Sequence, residues 1–116
     1  MNVKLKRKPI PSSLREKHRY LFIELIPLKP LSLNDWEFKE VLSRHFTGFF
    51  GLKGIAFTGY QLINVNAGNL TAVLKCFQGF EDELKAALVC LGEVKGVKVI
   101  PFTRKASGTL KGLSKQ

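Results

Sequence analysis

Apolar and polar positions alternate along the chain in a pattern that predicts four strands. The first run is almost entirely apolar, which indicates a central strand that is covered on both faces. The second and third runs flank an Asn-Ala-Gly-Asn turn signal and together predict a hairpin. The fourth run alternates with a period of two and leads into a basic segment. The predicted strands span residues 19–26, 60–65, 70–76 and 97–102.

Helical spacing of apolar residues predicts two helices between these strands. Ser32 is the predicted cap of the first helix, and the glycine-rich residues 47–59 predict a connecting loop after it. The acidic residues 81–83 lie in the first turn of the second helix, where the helix dipole favours negative charge. The predicted apolar faces are Phe38, Val41, Leu42, His45, Phe46 and Phe49 in the first helix, and Phe80, Leu84, Ala87, Leu88 and Leu91 in the second.

This order of elements predicts an α+β fold of the ferredoxin-like, RRM-like βαββαβ type. Such a fold is an antiparallel four-stranded sheet with both helices packed on one face. The last strand would be an edge, which suits Pro101, and the first would lie beside it in the interior. RNA-recognition motifs stack bases on aromatic side chains of such a sheet, but residues 70–76 contain none, and Tyr20 and Phe22 of the first strand are not enough for this. We therefore expect chain termini or a protein partner to cover the open face.

Length and composition predict a single domain that covers residues 1–116. It divides into a basic arm at 1–11, a core at 12–104 and a basic tail at 105–116. No apolar run is long enough to span a membrane, and no secretory signal pattern follows the basic N-terminus. Cys76 and Cys90 form no metal-binding motif, so we expect both thiols to be buried and reduced in a cytoplasmic protein.

Charge is the most informative part of the composition. The chain carries a formal net charge of +10, and its pI is about 9.9. The charge is concentrated at both ends: residues 1–19 sum to +6, residues 20–94 to −2 and residues 95–116 to +6. Cationic ends of this kind bind polyanions, either nucleic acid or an anionic membrane surface, by neutralising phosphates.

The sequence contains no constellation typical of catalysis. It has no nucleophile with a base at a suitable spacing and no glycine-rich phosphate loop. His45 lies on the apolar face of the first helix and is interpreted as a packed histidine. The acidic residues 81–83 are interpreted as a helix start, because no second carboxylate cluster accompanies them. We therefore predict no catalytic and no metal-binding residue in this chain.

Three segments of the sequence resemble the archaeal ribonuclease P protein component 2 family, also called the Pop-five/Rpp-fourteen family. They are residues 11–20 (PSSLREKHRY) before an apolar strand, the second helix with its leading glutamate, and residues 97–100 (VKVI) running into residues 107–111 (SGTLK). The resemblance covers residues 9–113, apart from residues 47–59, which do not match the family pattern.

The resemblance implies an RNA-binding subunit of ribonuclease P. The complex removes the 5′ leader of precursor tRNA, and its chemistry is performed by the catalytic RNA with bound Mg²⁺, so that the protein itself binds no cofactor. The implied partners are the catalytic RNA, precursor tRNA and a barrel-shaped protein subunit, and the resemblance also allows a homodimer within a heterotetramer.

The charge pattern and the resemblance together predict an electrostatic role in which the basic ends contact RNA. Two other classes remain open on the residues alone: a ferredoxin-like protein-binding adaptor without a role in RNA processing, and a small-molecule sensor domain. The predicted RNA-binding residues are Lys6, Arg7, Lys8, Arg15, Lys17, Arg19, Arg104, Lys105 and Lys111.

Overall fold

The structure is a computed structural model and describes residues 17–111. The predicted basic arm and the predicted RNA-binding residues Lys6, Arg7, Lys8 and Arg15 lie outside the described residues. The elements are β1 (His18–Pro27), α1 (Asp35–Thr58), β2 (Gln61–Asn66), β3 (Thr71–Phe77), α2 (Glu81–Val89), β4 (Glu93–Val94) and β5 (Val97–Ser107).

All strands join one antiparallel sheet in the order β2-β3-β1-β5-β4, so β1 is central as predicted. Alternate side chains of β1 and β3 are buried against the helices, because successive residues of a strand point to opposite faces. Both helices contribute to the same core, which confirms the predicted α+β class. The buried strand residues are Leu21, Ile23 and Leu25 of β1 and Ala72, Leu74 and Cys76 of β3.

We call the other side of the sheet the open face, and it carries Tyr20, Phe22 and Glu24 of β1. These residues are half-buried and alternate with the core positions. Within residues 17–111, both helices belong to the opposite side, so the open face is not covered by them.

The sheet has five strands rather than the predicted four, because a short hairpin precedes the last long strand. Val94 pairs with Val97, and the two residues between them form the loop. Lys95 and Gly96 both have positive φ angles, of 50° and 78°, as a two-residue hairpin turn of this twist requires. Consequently β4 covers the outer edge of β5 at its first residues, and β5 is an edge strand only beyond them.

The predicted loop at residues 47–59 is wrong, because α1 continues through this segment to Thr58. The helix bends at Gly51, whose φ of 74° and ψ of 172° are not helical, and it ends at Gly59 in the left-handed conformation. Its first turn is capped by Asn34 rather than Ser32: the Asn34 side chain accepts from the Glu37 N–H, and Glu37 returns the contact. Glycine therefore kinks this helix without terminating it.

Aromatic packing explains why the second half of α1 stays on the sheet. Phe46 is fully buried and stacks on Tyr60 with ring centroids 4.8 Å apart. Phe50, one helical turn later, packs against both rings. Burial raises the pKa of the Tyr60 hydroxyl well above its usual range, so this group stays protonated in the folded protein.

The histidine on the apolar face has the structural role predicted for it. His45 Nε2 donates a hydrogen bond to the carbonyl oxygen of Ala87 at 2.6 Å, which joins α1 to α2. Its ring also packs edge-on against Phe46. The hydrogen bond and the ring contact explain why a polar ring occupies this half-buried position.

The two cysteines differ in exposure, which corrects the expectation that both are buried. Cys76 is buried in β3, whereas Cys90 is exposed at the end of α2. Burial is the main cause that raises the pKa of the Cys76 thiol to about 11, and nearby carboxylates add to it.

Thiol titration of the native protein is therefore expected to modify Cys90 rapidly and Cys76 only after unfolding, because the thiolate is the reactive form. Ellman's reagent at neutral pH, with and without urea, checks this expectation, and the Cys90→Ser variant identifies the fast thiol. Equal reaction of both thiols in the native protein would contradict the burial of Cys76.

Candidate nucleic-acid interface

The fold brings the described residues at the start of β1 and at the end of β5 to the same end of the sheet. Because β1 and β5 are antiparallel neighbours, the start of β1 lies beside the end of β5, with Tyr20 opposite Ser107. Lys17 immediately precedes β1, and Lys111 follows β5. We call this region, with Lys17, Lys105 and Lys111, the basic end of the sheet. Lys17 thus lies at the same end of the sheet as two cations that are far from it in sequence.

The two predicted residues at the start of β1 differ in their surroundings. Lys17 is exposed, and its backbone carbonyl accepts from the Gln78 N–H at 2.6 Å, which ties this residue to the end of β3. Arg19 points to the helical side, where its Nε lies 3.0 Å from Glu81 Oε2. The arrangement is an ion pair without an aligned hydrogen bond, since Arg19 Nε has no hydrogen-bond partner among the described residues.

Arg104 lies in an irregular part of β5. The register with β1 shifts between Phe22 and Ile23, which places Arg104 in a bulge beside Lys105. Arg104 Nε donates to Glu24 Oε1 at 2.7 Å, and the guanidinium lies 4.9 Å from the centroid of the Phe102 ring. These contacts place the Arg104 side chain on the open face and fix its orientation. The bond to Glu24 uses the Nε–H, and the remaining N–H groups of the guanidinium are not needed for it.

The predicted division between core and tail falls inside β5, which continues to Ser107. Lys105 is therefore a residue of the sheet: it lies opposite Phe22 and is half-buried. Lys111 is exposed beyond the strand. A surface ion pair is worth about 1 kcal/mol or less, so the partly exposed Arg104 can exchange its carboxylate partner for phosphate at little cost.

Sequence reasoning missed the residues of β3 that face the same side. Lys75 lies opposite Tyr20 on the open face, and Phe77 lies opposite His18 with ring centroids 5.5 Å apart. Because β3 ends at Phe77 and not at residue 76, the third strand does contribute an aromatic ring. The alternation of Thr71, Val73 and Lys75 with three buried residues is the signal that could have identified this face.

No group of three or more His, Cys, Asp and Glu side chains in residues 17–111 is arranged to hold a metal ion. The acidic residues 81–83 lie in the first turn of α2, as predicted. Glu81 accepts from the Gly79 N–H at 2.8 Å and pairs with Arg19, so it serves the helix start. Across the same residues no helix is long and apolar enough to cross a membrane.

The fold and the surface define a small basic α+β protein with cations and aromatic rings on one side of its sheet. A model of the Rpp14/Pop5 family matches residues 19–116 of the chain. The chain therefore belongs to the Rpp14/Pop5 family, which confirms the family indicated by its sequence motifs.

Curated relatives carry the name "Ribonuclease P protein component 2". The protein of Thermococcus gammatolerans is 31% identical over 96% of this chain and 91% of the relative. The proteins of Pyrococcus horikoshii and Archaeoglobus fulgidus are 29% and 30% identical, over 96% and 90% of this chain and 91% of each relative.

Among solved structures, a chain in the cryo-EM structure of yeast ribonuclease MRP has a similar fold. The TM-score is 0.62 with 10% sequence identity, and the match covers 83% of this chain and 77% of that chain. At this identity the likeness concerns the fold alone.

Proposed function

We propose that this chain is a protein subunit of ribonuclease P that supports the catalytic RNA in cleaving the 5′ leader from precursor tRNA. The observation that carries the proposal is the basic end of the sheet, where Lys17 before β1 lies at the same end as Lys105 and Lys111. Family membership and the curated ribonuclease P relatives support the same function. They favour it over an adaptor without a role in RNA processing.

The proposed mechanism is electrostatic. Cations at the basic end reduce the repulsion between catalytic RNA and precursor tRNA, and so help the RNA to fold and to retain Mg²⁺. The reaction centre, including Mg²⁺, belongs to the RNA in this proposal, and the protein contributes no general acid or base. The half-buried position of His45 and its bond to Ala87 support that assignment, because they occupy the histidine in packing.

The finer fold assignment is also part of the proposal. Without the two-residue β4, the strand order is β2-β3-β1-β5, and the elements follow one another as βαββαβ. This is the order of a ferredoxin-like unit. The short hairpin at β4 is then an addition at one edge of that unit.

A barrel-shaped protein subunit of the complex is the proposed protein partner, and the helical layer offers a surface for it. Phe49, Leu52 and Phe57 of α1 are 46%, 83% and 72% exposed. Large apolar side chains that cluster on a surface commonly mark protein interfaces. A homodimer within a heterotetramer would use part of the same layer.

Salt dependence of RNA binding tests the proposed function. If the basic end contacts about five phosphates, the logarithm of the binding constant should fall with the logarithm of salt concentration at a slope of about −4. Fluorescence anisotropy of the full chain with the catalytic RNA, over a range of salt concentrations, measures this slope.

Two variants locate the contacts. Because residues 105–107 belong to β5, substitution is preferable to truncation there, and the test variant is Lys17→Gln, Lys105→Gln and Lys111→Gln. The matched control is Lys39→Gln, Lys53→Gln and Lys85→Gln, which removes equal charge from the helical layer. A flatter slope only in the test variant supports the proposal, while a slope near zero for the unmodified chain, or equal slopes for both variants, overturns it.

A further inference from the structure

A cleft on the open face extends from Phe22 towards the turn between β2 and β3, and it combines one aromatic ring with several amide side chains. Its volume is about 260 Å³, and its lining includes Phe22, Val73, Asn64, Asn69 and Thr71. The cleft adjoins an irregular part of β2, whose register with β3 shifts between Leu62 and Asn64.

The floor of the cleft is apolar and its rim is polar. Phe22 and Val73 are opposite residues of neighbouring strands, and both are half-buried. Asn64 and Asn69 are exposed at the rim, on β2 and in the turn between β2 and β3. The Asn66 side chain, by contrast, already accepts from the Asn69 N–H at 3.2 Å and holds that turn. Asn64 and Asn69 therefore offer amide donors and acceptors above an aromatic ring.

Cations lie beside this ring on both neighbouring strands. Lys105 of β5 is directly opposite Phe22, and Lys75 of β3 lies one pair further along, opposite Tyr20. Residues opposite each other have Cβ atoms about 5 Å apart, and diagonal neighbours are about 7–8 Å apart. The only carboxylate of β1 on this face is Glu24, and it is already paired with Arg104. A polyanion therefore meets positive charge next to the aromatic ring.

We propose that this cleft binds one unpaired nucleotide of a single-stranded RNA segment. The base lies against Phe22, Asn64 and Asn69 contact the edge of the base, and Lys105 and Lys75 neutralise the adjoining phosphates. Single-stranded RNA is recognised by aromatic stacking and amide contacts of this kind, whereas the paired bases of a duplex cannot reach them. The inference rests on the proposed function for its ligand class and shares Lys105 with the electrostatic prediction, but the base contacts that it assigns to Phe22, Asn64 and Asn69 are separate from that prediction.

The proposal revises the expectation that the open face is covered and takes no part in base stacking. That expectation depended on the absence of aromatics from residues 70–76 and on the judgement that Tyr20 and Phe22 of the first strand are not enough. The ring that matters, Phe22, is supplied by β1, and its neighbours on β2 become visible only from the strand register.

Binding of a short RNA to the full chain tests the proposal. The probes are a labelled single strand of about ten nucleotides and the same sequence in a duplex, a length within the usual range of single-strand sites. Phe22→Leu should weaken single-strand binding about ten-fold, the effect expected from the loss of one stacked base. It should leave duplex binding and the salt slope unchanged, because no charge is removed.

Two further variants keep the test decisive. Phe57→Leu removes an exposed ring from the helical layer and should leave single-strand affinity unchanged. If Phe22→Leu does not fold, as judged by circular dichroism, Asn64→Ala on the exposed edge strand takes its place and should weaken single-strand binding several-fold.

The outcomes separate this proposal from the proposed function. The cleft assignment is overturned if the cleft variant (Phe22→Leu, or Asn64→Ala where that variant is used) binds the single strand as tightly as the unmodified chain does. In that case a steep salt slope of the unmodified chain still supports the RNA-binding function. The cleft assignment is also overturned if the cleft variant loses binding to the partner protein but keeps its binding to RNA. The cleft would then be a protein-binding site. Absence of salt-dependent RNA binding in the unmodified chain counts against the function itself.

Discussion

Replacing Phe46 by alanine is expected to lower the free energy of unfolding by about 3–5 kcal/mol, the range for removing a large aromatic side chain from a core. Phe46 is completely buried, and its ring stacks on Tyr60 and packs against Phe50 and His45. The substitution leaves a cavity where α1 meets β2. Since small domains are stable by about 5–15 kcal/mol, the variant would lose a large part of its stability.

Urea unfolding followed by circular dichroism measures this loss, and Phe57→Ala is the matched control. Phe57 lies on the same helix but is 72% exposed, and its ring packs against that of Phe80. It should cost about 1 kcal/mol, the value of a single aromatic pair. Similar losses in both variants would contradict the difference in burial between Phe46 and Phe57.

Neutralising the cations at the end of β5 is expected to raise the Mg²⁺ concentration that precursor-tRNA cleavage requires, by roughly three- to ten-fold. The variant is Arg104→Gln, Lys105→Gln and Lys111→Gln. Removing three phosphate contacts should flatten the salt slope by about 2–3 units, and Mg²⁺ can replace the lost positive charge on the RNA. The reconstituted ribonuclease P, assayed over a Mg²⁺ titration, measures the shift.

Rescue by Mg²⁺ distinguishes lost charge from lost chemistry. At high Mg²⁺ the variant should cleave within a few-fold of the unmodified complex, because no general acid or base has been removed. Loss of a general acid or base typically lowers the rate about 10²–10⁴-fold, and added Mg²⁺ does not restore that rate. The charge-matched variant Lys39→Gln, Lys53→Gln and Lys85→Gln should shift the Mg²⁺ requirement much less. An activity loss that no Mg²⁺ concentration restores would contradict the electrostatic mechanism.

The order of the long elements could be predicted from the sequence because each carries a clear periodicity. The alternation in β3 and the helical spacing of Phe38, Leu42 and Phe46 are local signals that tertiary packing reinforces. The family motifs added the function class, which periodicity alone left open.

The glycine-rich part of α1 and the β4 hairpin could not be predicted in the same way. Gly51 breaks helical geometry at one residue, yet Phe50 and Tyr60 hold the following turn against the sheet. That stabilisation comes from a ring contact that joins the two sides of the kink, so helix propensity alone misjudges it. The hairpin depends on a positive φ at Lys95, and lysine rarely adopts this conformation. The residues of the hairpin therefore did not indicate a turn.

Part of the candidate interface could be predicted from the composition of the chain, and the rest depends on the geometry of the sheet. The concentration of positive charge at both ends was visible in the sequence, but its convergence depends on the pairing of β1 with β5. The contacts of Arg104 with Glu24 and Phe102, and the cleft beside Phe22, depend on bulges at defined residues. A bulge shifts register by one residue, and no sequence period records where it occurs.

The central claim is that the chain assists an RNA catalyst by supplying positive charge. Single-turnover cleavage of precursor tRNA by the catalytic RNA and its other protein subunits, with and without this chain, tests it across a Mg²⁺ titration. We expect the chain to accelerate cleavage most at low Mg²⁺ and its effect to shrink as Mg²⁺ rises. An equal rate with and without the chain at every Mg²⁺ concentration would contradict it.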